Sequence, residues 1–197
     1  MKITRGYFNR YRISDSNVIT ESYRRTRYFS STGIRSGAGT TVFISHKHSD
    51  LVTDGDMNEL KGLLNFLKDE YQIEPYIDSM DKKMPDETCA ETAERIKEVI
   101  NYSEKFILLA TNAAIASKWC NWEVGIADKL KLPHNDMAIL PMLDDRNSLY
   151  KGNEYLELYP YIEERITLSG SRYLGVCIRT NEGRKWITLK NWLENRY

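Results

Sequence analysis

Five consecutive residues, Trp119-Cys120-Asn121-Trp122-Glu123, put an acid beside two large aromatic rings. On a helix, positions 119, 122 and 123 lie on one side. An acid held between two rings at the start of a helix is pulled two ways. The helix N-terminus favours the anion, while the rings strip water from it. Such a carboxylate can stabilise a developing cation or hold sugar hydroxyls. The plainer reading of the same spacing packs the tryptophans in the core and leaves Glu123 solvated. A second group is Phe43-Ile44-Ser45-His46-Lys47-His48-Ser49-Asp50. Here a strand ends in polar side chains and backbone N–H groups, which suits phosphate contacts. The run lacks the glycine pattern of a dinucleotide fingerprint or a P-loop. His46 and His48 share a face on a strand, but no further ligands join them, so no metal is expected.

These residues need a scaffold, and the pattern around them supplies one. Thr41–Ser45 is a short β-branched and aromatic run, the mark of a buried strand. Leu60, Leu63, Leu64, Leu67 and Tyr71 fall at helical spacing, which predicts a helix near 56–71. A second strand is expected over Ile73–Ile77, then a charged loop over 78–87, then a helix marked by Ala93, Ile96, Val99 and Ile100. Phe106–Ala110 is apolar throughout, as a central strand of a parallel sheet would be. Ser117 can cap a helix whose inner face holds Trp122, Ile126 and Leu130. Met137–Met142 reads as a fourth strand. Alternating strands and helices predict a doubly wound parallel sheet, with ligands outside the carboxyl ends of its strands. Residues 172–179 read as one more strand, 181–183 as a turn, and Trp186, Leu189, Trp192 and Leu193 as a closing helix.

Bulk composition narrows the function classes. With 197 residues the chain can bury a core unaided. Lys+Arg and Asp+Glu are 28 each, so nothing global suggests nucleic acid or an anionic membrane as partner. The balance is uneven, however. Residues 1–40 hold eight basic residues against Asp15 and Glu21, interleaved with tyrosines. They are expected to form a basic N-terminal extension, ending in a glycine-containing linker and lying on an acidic face of its own domain or a neighbour. The three cysteines have no CxxC spacing, which argues for a reducing compartment and against a zinc site. No apolar run is long enough for a membrane span and the N-terminus lacks a signal-peptide stretch, so a cytoplasmic protein is expected.

Four landmarks occur in order over residues 41–143 and together resemble the TIR (Toll/interleukin-1 receptor) domain family. Phe43-Ile44-Ser45-His46 with Asp50 looks like its first box. Tyr76-Ile77-Asp78 and the charged loop with Pro85 are similar to its second strand and BB loop. Phe106–Leu109 followed by Ser117-Lys118-Trp119-Cys120-x-x-Glu123 resembles its third strand and the start of the helix after it. Ile139–Met142 looks like the fourth strand. A Gly-x-x-Trp stretch at Gly183–Trp186 is similar to the tail of bacterial Thoeris-type antiphage proteins. The resemblance implies a flavodoxin-like three-layer sandwich over 41–197, with its core at 41–143 and a less typical part at 144–197.

The resemblance also implies chemistry. In enzymatic members the acid at this position is catalytic, which maps to Glu123. NAD is then the substrate, consumed rather than kept as a cofactor. Phe43, Ser45, His46, Lys47, Asp78, Trp119 and Trp122 are the expected substrate-binding set. Trp119 or Trp122 would stack near the base, and the strand end at Ser45–Lys47 would hold the diphosphate or the adenosine. The product is expected to be nicotinamide with ADP-ribose, in cyclic form by the Thoeris-like likeness. Members of the family assemble through the BB loop, here 78–87, and a downstream effector would read the product. The competing expectation is a non-catalytic TIR adaptor, favoured if Glu123 faces solvent with no cleft beside it. A receiver domain is a poorer fit, because Asp78 lacks acidic companions in sequence.

Overall fold

Alternate residues of the central strands point into two separate cores, and this fixes which side chains can meet above the sheet. The computed structural model describes residues 2–11, 40–47, 56–78, 89–144 and 154–196. Its strands are β1 (Ile3–Thr4), β2 (Thr41–Ser45), β3 (Glu74–Tyr76), β4 (Lys105–Ala110), β5 (Met137–Leu143), β6 (Tyr161–Ile166), β7 (Arg172–Thr180) and β8 (Gly183–Thr188). Its helices are α1 (Asp56–Tyr71), α2 (Ala90–Tyr102), α3 (Asn112–Ala116), α4 (Lys118–Lys131) and α5 (Leu189–Leu193). The sheet order is β3-β2-β4-β5-β6-β7-β8. Strands β3 to β6 in that order are parallel, and β7 and β8 run antiparallel at the far side.

Val42 and Ile44 join one core with the α1 residues Leu60, Leu63 and Leu67. Phe43 faces the other way, with Ile96 and Val99 of α2 and Val124 and Ala127 of α4. The result is a three-layer α/β sandwich with a mostly parallel central sheet, the flavodoxin-like arrangement expected. Among the described residues no helix is long and apolar enough to cross a membrane.

Pro141 lies in β5, where a missing N–H would normally be costly. The edge it faces explains its presence. Ile139 N–H donates to Pro160 before β6 begins, and the Leu143 carbonyl accepts from Arg5 N–H. Residue 141 falls between these two partners, where β6 has left off and β1 has not begun. The missing donor therefore breaks no ladder.

The structure adds to or departs from the sequence reading in three places. The boundary expected at residue 40 does not separate the first residues from the domain. Ile3 and Phe8 are 1% and 0% exposed within the first core. Gly62 lets Phe8 in, since a Cβ there would sit 2.7 Å from Phe8 atoms. Asn65 Nδ2 donates to the Tyr11 carbonyl at 2.8 Å. The expected closing helix also starts later. Trp186 belongs to β8, paired with Cys177, and only Leu189–Leu193 is helical. Strand β6 was not expected, because its inward positions are Ile162 and Glu164, and a buried acid breaks the apolar alternation. Arg172 Nη1 pairs with that acid at 3.2 Å. Of the expected charged loop 78–87, only Asp78 lies within the described residues.

Candidate active site

Ser117 begins the helix that carries the acid: its side chain accepts from Cys120 N–H, an N-cap that stops α3 and starts α4. Along α4 the buried positions are Cys120, Glu123, Val124, Ala127 and Lys131, a sheet-facing stripe at helical spacing. Glu123 thus occupies a position where the pattern asks for an apolar residue. It is 1% exposed. It meets the carboxyl end of β2, where Ser45 points to the same face as Phe43. Ser45 Oγ donates to Glu123 Oε2 at 2.5 Å.

Two further groups close around this pair. His46, just past β2, has its ring buried, with Nδ1 3.3 Å from the Ile44 carbonyl and 3.8 Å from Asp78 Oδ1. Both neighbours are acceptors, which puts the ring proton on Nδ1. Asp78 lies just past β3, the strand next to β2. Cys120 Sγ donates to the His46 carbonyl at 3.3 Å. Burial pushes its thiol up to about 11, so it is a packing group rather than a nucleophile at neutral pH.

Burial likewise pushes the Glu123 carboxyl up to about 8; the nearby Asp78 charge adds to this, and the Ser45 hydroxyl opposes it. Of the two opposing pulls expected from the sequence, loss of water wins over the helix N-terminus. Glu123 is the sixth residue of α4, and the helix-end field fades within the first turn. Among the described residues no lysine or arginine pairs with Glu123, and Ser45 is its hydrogen-bond donor. The arrangement is a buried acid whose ionisation a second, nearby acid opposes, and a cation is the ligand that would favour the Glu123 anion.

The expected site residues divide into two sets. Ser45, His46, Asp78 and Glu123 come together, and Lys47 follows at the same strand end, half-buried. Trp122 turns away from the carboxyl. Trp119 and Trp122 stack on each other, with centroids 4.9 Å apart. Trp122, about 100° around the helix from Glu123, lines an outer groove between α4 and α2 with Lys97, Ile126 and Leu130. Phe43 is 1% exposed, with Tyr76 on one side and Phe106 on the other, a core ring rather than an open platform. His48 lies outside the described residues, and among those described no cluster of three His, Cys, Asp or Glu could hold a metal. Cys120 is the neighbour that sequence reasoning missed. Its place three residues before Glu123, on the same stripe, was the available signal.

A family model described as the TIR-like domain of the Thoeris protein ThsB matches residues 43–148, more than half of the chain. The chain belongs to this TIR-like ThsB family. Its matched span runs from within β2 through β5 and so contains all four residues gathered at the site. A curated relative from Bacillus cereus (strain MSX-D12), "Probable 3' cyclic ADP-D-ribose synthase ThsB'", is 27% identical over 157 residues. That match covers 78% of this chain and 75% of the relative.

Proposed function

We propose that this TIR-like ThsB protein cleaves the nicotinamide–ribose bond of NAD, releasing nicotinamide and a cyclic ADP-ribose that serves as an antiphage signal. The observation that carries the reading is Glu123, a buried carboxyl beside Asp78 and Ser45 with no lysine or arginine partner among the described residues. The name of the Bacillus cereus relative supports the same substrate and product class.

The chemistry suits such a site. The nicotinamide of NAD is a cationic pyridinium and departs neutral, taking the C–N electron pair with it. No acid is needed at the leaving group. What is needed is a carboxylate against the ribose, whose ring takes on positive charge as the bond breaks. A cation within about 4–6 Å favours the ionised form of an acid. Substrate binding would therefore drive the proton off Glu123 and create the carboxylate where it is used. The burial of Glu123 also favours capture of the ribosyl cation by a hydroxyl of the same molecule over capture by water.

Self-association through 78–87, a cytoplasmic setting and an effector that reads the nucleotide complete the proposal. Of the two features that would favour the adaptor alternative, a solvent-facing Glu123 and the lack of a cleft beside it, the first is not met: Glu123 is 1% exposed. The test is incubation of concentrated full-length protein with NAD, with products resolved by mass. Nicotinamide plus a species lighter than ADP-ribose by one water is the expected result. Intact NAD at concentrations where the protein assembles would reject the reading.

A further inference from the structure

The site holds two acids in unlike surroundings. Glu123 is 1% exposed. The Asp78 side chain is 25% exposed. The two follow from the topology: β2 and β3 are parallel neighbours about 4.8 Å apart, so the residues just past them, His46 and Asp78, meet. His46 is itself fixed, its Nδ1–H lying 3.3 Å from the Ile44 carbonyl while facing Asp78 Oδ1. The fixed ring thus stands against the Asp78 side chain and limits where it can swing. Asp78 also acts on Glu123, since its charge adds to the rise of the Glu123 pKa. Where paired acids differ in environment, they take different roles.

We propose that Asp78 accepts the proton of the hydroxyl that captures the ribosyl cation, while Glu123 stabilises that cation. This rests on the NAD-cleavage reading. The C–N bond breaks with its electrons leaving on nicotinamide. A hydroxyl oxygen, from the same nucleotide or from water, forms the new C–O bond. Its proton passes to Asp78 and then to solvent, so one proton is released per product. Glu123 is committed to the cation as a carboxylate, whereas the Asp78 side chain, 25% exposed, can take up the new proton and pass it to water.

A free pyridine base provides the test, because its nitrogen captures the cation with no proton to remove. Full-length wild type, Asp78→Asn and Asp78→Glu are incubated with NAD and deuterated nicotinamide. Exchange of label into NAD and formation of cyclic plus linear ADP-ribose are both followed by mass. Asp78→Asn is expected to raise the ratio of exchange to hydroxyl-derived product about 100-fold, the usual scale for loss of a general base. Asp78→Glu, which restores a carboxylate, is expected to bring the ratio back toward wild type, and Asp78→Ala, expected to raise it as the amide does, stands in should the amide variant fail to fold. A merely structural Asp78 would lower both outputs together, and an unchanged ratio in Asp78→Asn would overturn the proposal. Absence of both outputs in wild type would instead reject NAD cleavage itself, and this assignment with it.

Discussion

At the amino end of the sheet, the Lys105 ammonium is buried and answered from every side. Asp136 and Asn195 oxygens accept from it, and the Trp192 ring lies 4.9 Å away. Trp192 in turn donates to the Asn135 carbonyl at 2.6 Å. Lys131 gives its Nζ hydrogens to the Asn101 and Ser103 carbonyls at the end of α2. At the carboxyl end, Glu123 is equally enclosed, yet a second acid stands near it and one hydroxyl donates to it among the described residues. Burial opposes charge in both places, pushing Lys105 down and Glu123 up. The amino end resolves the conflict with partners and ties α5 to the sheet. The carboxyl end leaves it unresolved, and an unresolved buried charge marks a place where a ligand completes the structure.

Lys105→Ala should break the amino end alone. Removing one member of a buried pair costs about 3–5 kcal/mol, and Asp136, 23% exposed, recovers some water, so a value near about 3 is expected. The thermal midpoint should fall by roughly 6–12 °C. Below that midpoint, nicotinamide release per folded molecule should match wild type; a catalytic loss without unfolding would erase the division between the two ends.

A pH series sharpens the other side. The folded Glu123 pKa of about 8 lies above its unfolded value, so its contribution to stability is full at low pH. It is lost as pH rises from the ordinary carboxyl range through about 8. Glu123→Gln removes that loss. Calorimetry should find the variant gaining on wild type as pH rises, with a gap that widens up to about pH 8.

Ser45→Ala removes the donor that favours the Glu123 anion. A loss of about tenfold in kcat/KM is expected, matching a hydrogen bond to a charged group. The pH at which kcat/KM levels off should move above the wild-type value. An unshifted profile would mean that Ser45 does not hold the reacting carboxylate. Gly125→Ala is the smallest change. Nothing lies within 4 Å of the added Cβ on the exposed face of α4, so the helix should gain up to about 1 kcal/mol. Activity should be unaffected; a drop would bring the Trp122 groove into the chemistry.

Much of the scaffold was legible because its signals are local. Phe106–Leu109 is apolar on both faces, and the sheet buries it on both. Ser117 caps the helix expected of it. Glu123 could be singled out because its motif is short and contiguous. The direction of the tryptophans was not legible, since three residues near one helix end fit two neighbouring stripes. Only the packing of α2 shows which stripe faces outward. The His46–Asp78 approach joins two strands 32 residues apart in sequence and needs their parallel register, which no local pattern encodes. Residues 2–11 were hidden by their own composition, because basic and polar neighbours mask Ile3 and Phe8 as core residues.

The most direct test of the division between the two ends is nicotinamide release by Glu123→Gln beside wild type, both folded and at the same high concentration. The account predicts that release falls about 10³-fold while the thermal midpoint holds or rises. Release that persists in the glutamine variant, or a glutamine variant that merely unfolds, would contradict it.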